Sequence, residues 1–461
     1  MKNLALLFFS LFVISSCSPT PESTKPNIIF IMADDMGYSD AGCYGQTVIQ
    51  TPHIDRLASE GMRFTQVYSG SSVCAPARSV LMTGLHTGHT RVRGNSGIGG
   101  VVGLAGVEGR IPLEKEDVTI AELLQDAGYV TCMVGKWGLG DPGTPGVPNK
   151  KGFDEFYGFL NQRRAHTYYP EYIWKDSIRI DLPGNSGGEK KTYTHELFAD
   201  YALDFIGRNQ EEPFFLYLPF CIPHDKYEAP DQGIYADREW SEDAKTYAAM
   251  ITRMDHTIGG IMEALKKYDL DDNTYVFFTS DNGVASTSNE WGVFNSGGSL
   301  RGVKRDPYEG GIRVPMVVRN PQRIKPGGTS DLVWYFADMM PTLADIANIS
   351  VPEKIDGVSV LPTLLGEVQD FGKRPLYWEF YEMEGWRALR FGEWKVVQHN
   401  MHHPVPQPIE IYNIRQDIGE TTDLAQDHPE IVAMAEQLFK KAHTPSANFK
   451  WGHRMDSLLD K

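Results

Sequence analysis

Asn27-Ile28-Ile29-Phe30-Ile31-Met32, running into Ala33-Asp34-Asp35, is the stretch on which the fold turns. An unbroken β-branched and aromatic run with no polar alternation reads as a strand buried on both faces, as in a parallel sheet covered by helices. It stops at two aspartates. The pattern returns far along the chain at Thr274-Tyr275-Val276-Phe277-Phe278-Thr279 and stops at Asp281-Asn282-Gly283. Between the two runs, Thr119 to Ala127, capped by Gly128, and Ala244 to Tyr268 read as helices. Such alternation predicts a large doubly wound α/β sheet, mixed or parallel, whose ligands sit outside the carboxyl ends of the strands. The two polar strand ends are thus expected to share one crevice. Asp34, Asp35, Asp281 and Asn282 would bring only oxygen donors there, a set suited to Ca²⁺ or Mg²⁺ rather than Zn²⁺. Either pair alone is a common turn sequence; its recurrence after two buried strands favours the metal reading.

The rest of the chain is consistent with a soluble body. With 44 Lys and Arg against 60 Asp and Glu, the net charge of −16 argues against nucleic acid, which needs a basic face. The 461 residues allow one large α/β domain with a satellite. Five cysteines, Cys17, Cys43, Cys74, Cys132 and Cys221, are too scattered for a disulfide framework or a paired-cysteine metal site.

The start reads as a targeting segment. Lys2 gives a positive end, Leu4 to Ile14 an apolar run too short to span a bilayer, and Ser15-Ser16-Cys17 small residues before a cysteine. This resembles a bacterial lipoprotein signal peptide over 1–17, with Cys17 lipidated and 18–26 a Pro/Ser/Thr-rich tether. A cleaved secretory signal is the alternative. Both readings export the protein, to a periplasmic or cell-surface position, with the lipid as its sole membrane contact.

Ser71-Ser72-Val73-Cys74-Ala75-Pro76-Ala77-Arg78, continuing to Gly84, carries the chemistry. Pro76 fits the first turn of a helix and Gly84 its end, which leaves Cys74 at a helix N-terminus, where free amides and partial positive charge hold anions. Arg78, one turn on, reaches the same place. A thiolate nucleophile and a half-buried structural cysteine both fit the spacing alone.

Here the chain resembles the sulfatase family. Cys74-Ala75-Pro76-Ala77-Arg78 is similar to its C-x-P-S-R signature, with Ala77 at the serine position. Asp34-Asp35-Met36-Gly37, Gly135-Lys136-Trp137-Gly138-Leu139-Gly140, Pro213-Phe214-Phe215 with Pro223-His224, Ser280-Asp281-Asn282-Gly283 and Leu300 to Gly311 follow in family order. The resemblance implies that a maturation enzyme oxidises Cys74 to formylglycine, whose hydrate attacks the sulfur of a sulfate ester. It implies a Ca²⁺ or Mg²⁺ ion held by Asp34, Asp35, Asp281, Asn282 and the side chain at 74. Arg78 would orient the diol, Lys136 and Lys304 clamp sulfate oxygens, and His224 serve as general acid.

One position departs from the family. Gly138 stands where the box carries a histidine, a candidate base for the release of sulfate. His89, His166 or a hydroxyl on the metal would replace it; loss of turnover is the other reading. In Asn161 to Pro170, cationic, amide and aromatic groups suit a sugar, with Arg164 and His166 as substrate-binding candidates. His53, His86 and His195 fit structural or surface roles. Gln398 to His403 reads as a rim loop lacking the companion ligands of a Zn site.

After about residue 350 the pattern changes to short alternating segments, Trp386 to Phe391, Trp394 to Val397 and Ile409 to Asn413, followed by a helix over Glu430 to Ala442. An antiparallel sheet with a closing helix is expected there. The predicted organisation is a catalytic α/β domain over 27–350 and an α+β subdomain over 351–461. The functional expectation is an exported sulfatase acting on a sulfated oligosaccharide. The alternatives are a phosphate or phosphonate monoester hydrolase on the same scaffold, and a non-catalytic lipoprotein that binds sulfated glycans.

Overall fold

The computed structural model describes residues 25–101 and 109–453. The expected signal peptide, Cys17 and all of the tether before residue 25 lie outside the described residues. Among the described residues, no helix is long and apolar enough to cross a membrane.

Eleven strands form the main sheet: β1 (Asn27–Ala33), β2 (Met62–Tyr68), β3 (Val130–Lys136), β4 (Glu155–Phe159), β5 (Tyr172–Lys175), β6 (Ile178–Asp181), β7 (Phe214–Pro219), β8 (Thr274–Ser280), β9 (Arg313–Arg319), β10 (Gly328–Ser330) and β11 (Trp334–Tyr335). Their order is β10-β2-β9-β8-β1-β7-β3-β4-β5-β6, with β11 beside β2. The centre is parallel, since β1 pairs with both β7 and β8 and β3 with both β7 and β4, while β9 and β5 run against it and β6, antiparallel to β5, returns to its direction. The sheet is thus mixed, as the sequence predicts.

Every residue of β1 is buried, and alternate residues feed two cores. Ile28, Phe30 and Met32 pack with the helices α2 (Cys74–Thr83) and α3 (Ile120–Asp126). Ile29, Ile31 and Ala33 pack with α1 (Pro52–Glu60), α4 (Thr194–Arg208) and α5 (Glu242–Lys267). Each large side chain so buried contributes about 1.5–3 kcal/mol, which is why the run tolerates no polar residue before its end. α3 is fixed by local chemistry: Thr119 accepts from the Glu122 amide while Glu122 reaches back to the Thr119 amide, and Gly128 follows at φ 83°.

A second sheet is an antiparallel meander of β12 (Leu376–Phe380), β13 (Trp386–Phe391), β14 (Trp394–His399) and β15 (Glu410–Asn413). The closing helix Pro429–Ala442 lays Ile431, Ala435 and Phe439 on Leu389, Val396 and Ile411. β12 was missed in the sequence reading, although Asp370, Gly372 and Pro375 mark a turn just before it, where the Gly372 amide donates to Asp370 Oδ1. A buried ionic cluster ties this sheet to the main one: Lys395 Nζ lies 3.1 Å from Glu309 Oε1 and 3.5 Å from Glu420 Oε1, and Glu309 Oε2 accepts from Tyr68 Oη at 2.7 Å. Glu309 follows the loop that carries Lys304, so the cluster anchors that loop.

Candidate active site

Parallel pairing of β1 with β8 sets Ala33 opposite Ser280. The residues that follow, Asp34-Asp35 and Asp281-Asn282, therefore emerge side by side at the carboxyl edge. The contact is direct, for the Asp35 amide donates to Asp281 Oδ1 at 3.2 Å and Asn282 Nδ2 to Asp35 Oδ1 at 2.7 Å. Asp35 holds φ 65°, a left-handed conformation that costs a non-glycine residue energy and clusters at functional sites. The neighbouring strand ends add Lys136 at the close of β3 and His224 five residues after β7.

Cys74 opens α2, a ten-residue helix whose C-cap Gly84 has φ 67°. Its Sγ lies 3.6 Å from Asp34 Oδ1 and accepts from Lys136 Nζ at 3.4 Å. Arg78, buried one turn along, reaches Asp281 Oδ2 at 2.8 Å and also donates to the Lys136 carbonyl. Lys136 Nζ pairs with Asp34 Oδ2 at 2.5 Å and Lys304 Nζ with Asp35 Oδ2 at 2.6 Å. His224 Nδ1 meets Asp225 Oδ1 at 2.5 Å, while its Nε2 is 3.0 Å from Lys304 Nζ and 3.4 Å from Asp35 Oδ2. The fold thus gathers Asp34, Asp35, Cys74, Arg78, Lys136, His224, Asp281, Asn282 and Lys304 into one site.

Electrostatics divide these groups. Burial alone would raise the Asp34 carboxyl, but Lys136, His224, Arg78 and Lys304 outweigh it and hold it well below the usual carboxylate range. Burial and the charge on Asp34 push Asp281 up to about 6 despite Arg78. Burial and Lys304 oppose charge on His224, yet Asp35, Asp34 and the bond to Asp225 raise it to about 10, so it is a cation at neutral pH. Three carboxylates in one dry volume are what a hard cation relieves. The donor set fits such an ion: Asn282 spends its amide nitrogen on Asp35 Oδ1 and the Gly283 carbonyl, which leaves Oδ1 buried without a partner among the described residues.

A cavity of about 620 Å³ opens onto Cys74, Asp35, His224 and Lys304. His166 lines it, stacked on His224 with ring centroids 3.8 Å apart, and burial together with the charges on His224 and Lys136 keeps it well below the usual histidine range. Arg164 does not line it. Its guanidinium lies over the Tyr172 ring at 4.0 Å, and Gln162 and Arg163 occupy the wall instead. His89 is also elsewhere, with Nδ1 2.9 Å from Asp356 and its ring stacked on His86. His195 is buried against Thr257, and His402 bonds the Tyr381 carbonyl.

The sequence reading missed Arg110 and, within Asn161 to Pro170, named Arg164 rather than Gln162 and Arg163. Gly138 has φ 86°, and a Cβ there would stand 2.6 Å from Gln162 Cγ. The space beside Trp137 is therefore filled by an amide from another loop. Gln162 Oε1 accepts from Arg110 Nη1 at 3.0 Å. Nothing in the sequence spacing links residues 110, 138 and 162.

The sulfatase family model matches residues 26–349, and that of the N-sulphoglucosamine sulphohydrolase C-terminal region matches 301–446. The chain is 33% identical to the N-acetylgalactosamine-6-sulfatase of Canis lupus familiaris, over 94% of this chain and 83% of that one. It is 30% identical to the N-acetylgalactosamine-6-O-sulfatase of Bacteroides thetaiotaomicron, over 92% and 94%. Among solved structures, Ps i-CgsB in complex with k-i-k-neocarrahexaose superposes with a TM-score of 0.80 at 27% identity, covering 95% of this chain and 97% of that one.

Proposed function

Because this chain belongs to the sulfatase family and is a sulfuric ester hydrolase, we propose that its substrate is a sulfate ester on a carbohydrate and that its nucleophile derives from Cys74. One observation carries the reading: Cys74 sits at a helix N-terminus, with Lys136 Nζ 3.4 Å and Asp34 Oδ1 3.6 Å from its sulfur and Arg78 one turn behind it. Glycan specificity is supported by the two N-acetylgalactosamine sulfatases and by the oligosaccharide in the Ps i-CgsB complex.

Formylglycine formed from Cys74 supplies a hydrated aldehyde as nucleophile, and a Ca²⁺ or Mg²⁺ ion supplies concentrated positive charge. Asp34, Asp35, Asp281 and Asn282 Oδ1, with the side chain at 74, are the groups that hold this ion. Arg78 is fixed by Asp281 and the Lys136 carbonyl, so it presents a rigid guanidinium beside residue 74. Lys136 and Lys304 donate to sulfate oxygens, where negative charge builds as the S–O bond breaks. His224, charged and steadied through Nδ1 by Asp225, offers its Nε2 proton to the departing sugar oxygen. His166, neutral and in the same cavity, is the base proposed in place of a histidine at 138. The cations Arg78, Lys136, Lys304 and His224 match Asp281, Asp34, Asp35 and Asp225 in number, so the net positive charge that attracts a sulfate monoanion would come from a bound divalent ion.

The protein is proposed to be exported and lipid-anchored through Cys17, facing the periplasm or the cell surface. Fractionation of cells expressing the full chain and its Cys17→Ser variant tests this: the wild type partitions with membranes and the variant does not.

Activity is tested with protein matured by a formylglycine-generating enzyme, by measuring sulfate released from N-acetylgalactosamine 6-sulfate and a panel of sulfated saccharides. Release by wild type and not by Cys74→Ala supports the proposal. Faster turnover of aryl phosphate than of any sulfate ester, or binding without release, would overturn it.

A further inference from the structure

Among the described residues, Arg110 is a buried cation with no carboxylate at ion-pair distance, and Asp141 and Glu382 offset its charge only through space. Its backbone is pinned by two hydrogen bonds to Val101. Its side chain spends Nη1 on two neutral acceptors, the Asn95 carbonyl at 2.5 Å and Gln162 Oε1 at 3.0 Å. Its Nε is buried without a partner among the described residues, although the side chain is only 9% exposed. Asp141 and Glu382 influence it through space, and burial still lowers its pKa. A buried guanidinium lacking a paired carboxylate costs several kcal/mol unless an anion completes it.

The surroundings point to where that anion comes from. Arg110 lines the cavity that opens onto Cys74. It is joined to the helix bearing Cys74 through Asn95, whose carbonyl accepts from Arg110 and whose Oδ1 accepts from the Ala75 amide at 3.2 Å. Of the carboxylates on the cavity wall, Glu382 accepts from the Asn95 amide through Oε1, Asp225 pairs with His224 and Asp35 with Lys304, and none of the three is at ion-pair distance from Arg110. Arg305 lines the same cavity, exposed and held at φ 80°. Its amide donates to the Ser72 carbonyl at 3.0 Å and its carbonyl accepts from Trp386 Nε1 at 2.8 Å. A left-handed, non-glycine residue fixed from both sides at a cavity rim is strain retained at a site of function.

We propose that Arg110, with Arg305 at the rim, binds a second anionic group on the substrate, so that the preferred saccharide carries a sulfate or carboxylate beside the sulfate ester that is cleaved. The inference rests on the sulfatase reading above and narrows its substrate class. Arginine suits this task because its planar fork meets either anion through two parallel hydrogen bonds.

The test compares N-acetylgalactosamine 6-sulfate with its 4,6-disulfate and with a uronate-linked disaccharide of the 6-sulfate, using the matured full chain. Wild type is expected to favour one of the two doubly anionic probes by ~10-fold or more in kcat/KM, and which one identifies the second anion as sulfate or carboxylate. Arg110→Gln is expected to lower that preference about tenfold, and Arg305→Ala to lower it less. A general loss of packing would slow all three probes alike and leave the ratio standing. Arg110→Lys, which keeps the charge and loses the fork, guards against a misfolded glutamine variant and should also lower the ratio. An unchanged ratio in the Arg110 variants, or no preference in wild type, overturns the proposal. Calorimetric affinities for the same probes report the ratio without turnover, so a failure of hydrolysis alone counts against the sulfatase reading and not against the anion subsite.

Discussion

The side chain of Gln162 occupies the space that a residue larger than glycine at 138 would need: a Cβ on Gly138 would lie 2.6 Å from Gln162 Cγ and 2.9 Å from its Cδ. The two positions are 24 residues apart in the sequence and behave as one unit, small at 138 and long at 162. Gly138→Ala is therefore expected to destabilise the protein by about 1–3 kcal/mol in urea unfolding, through overpacking and the φ of 86°. Adding Gln162→Ala should return the part due to overpacking and leave the part due to backbone strain. A neutral Gly138→Ala would show that the loop at 162 yields freely.

With Gln162 in that space and His224 charged, His166 is the neutral imidazole on the cavity wall among the described residues. His166→Ala is expected to lower kcat for sulfate release by ~10²–10⁴, the usual range for loss of a general base. Because its ring also stacks on His224, His166→Phe serves as the control: it keeps the stack and should be nearly as slow. Full activity in the phenylalanine variant would assign His166 to packing alone.

Chelation should silence the enzyme, and Ca²⁺ or Mg²⁺ should restore it. Asp281→Ala is expected to weaken metal affinity at least ~100-fold by calorimetry, since it removes a ligand and also frees Arg78, whose guanidinium it holds at 2.8 Å. Unaltered metal binding in that variant would remove Asp281 from the ligand set.

Asp255 gives a pH-dependent prediction away from the site. Its buried carboxylate accepts from the amides of His53 and Ile54 at the start of α1, yet burial outweighs those bonds and raises its pKa from 3.8 to about 6. A carboxyl raised by folding contributes most below its unfolded pKa, and that contribution is lost as pH climbs through the folded value. Asp255→Asn, which keeps the accepting oxygen and cannot ionise, should gain stability relative to wild type between pH 4 and 7, by up to about 3 kcal/mol. Parallel stability profiles would contradict this.

The central strands and the helix at Cys74 were legible because their signals are local: apolar runs ended by acids, and a proline in the first turn of a helix with a glycine just past its end. The meeting of Asp34 with Asp281 followed from one topological rule about strand ends. Side-chain direction was not legible. Arg163 and Arg164 are indistinguishable as letters, and only the short 3₁₀ turn at Arg164–His166 decides that Arg163 lines the cavity while Arg164 joins Arg179 on the Tyr172 ring. Arg110 stood in no motif, because its role arises from partners at 95 and 162 that only the fold brings to it.

The most direct test is the mass of the peptide containing Cys74, taken from protein that releases sulfate from a sulfated saccharide. An aldehyde at residue 74 is the predicted result. An intact thiol in the active protein would contradict the account at its centre, since the hydrolysis would then proceed without the group around which the site is built.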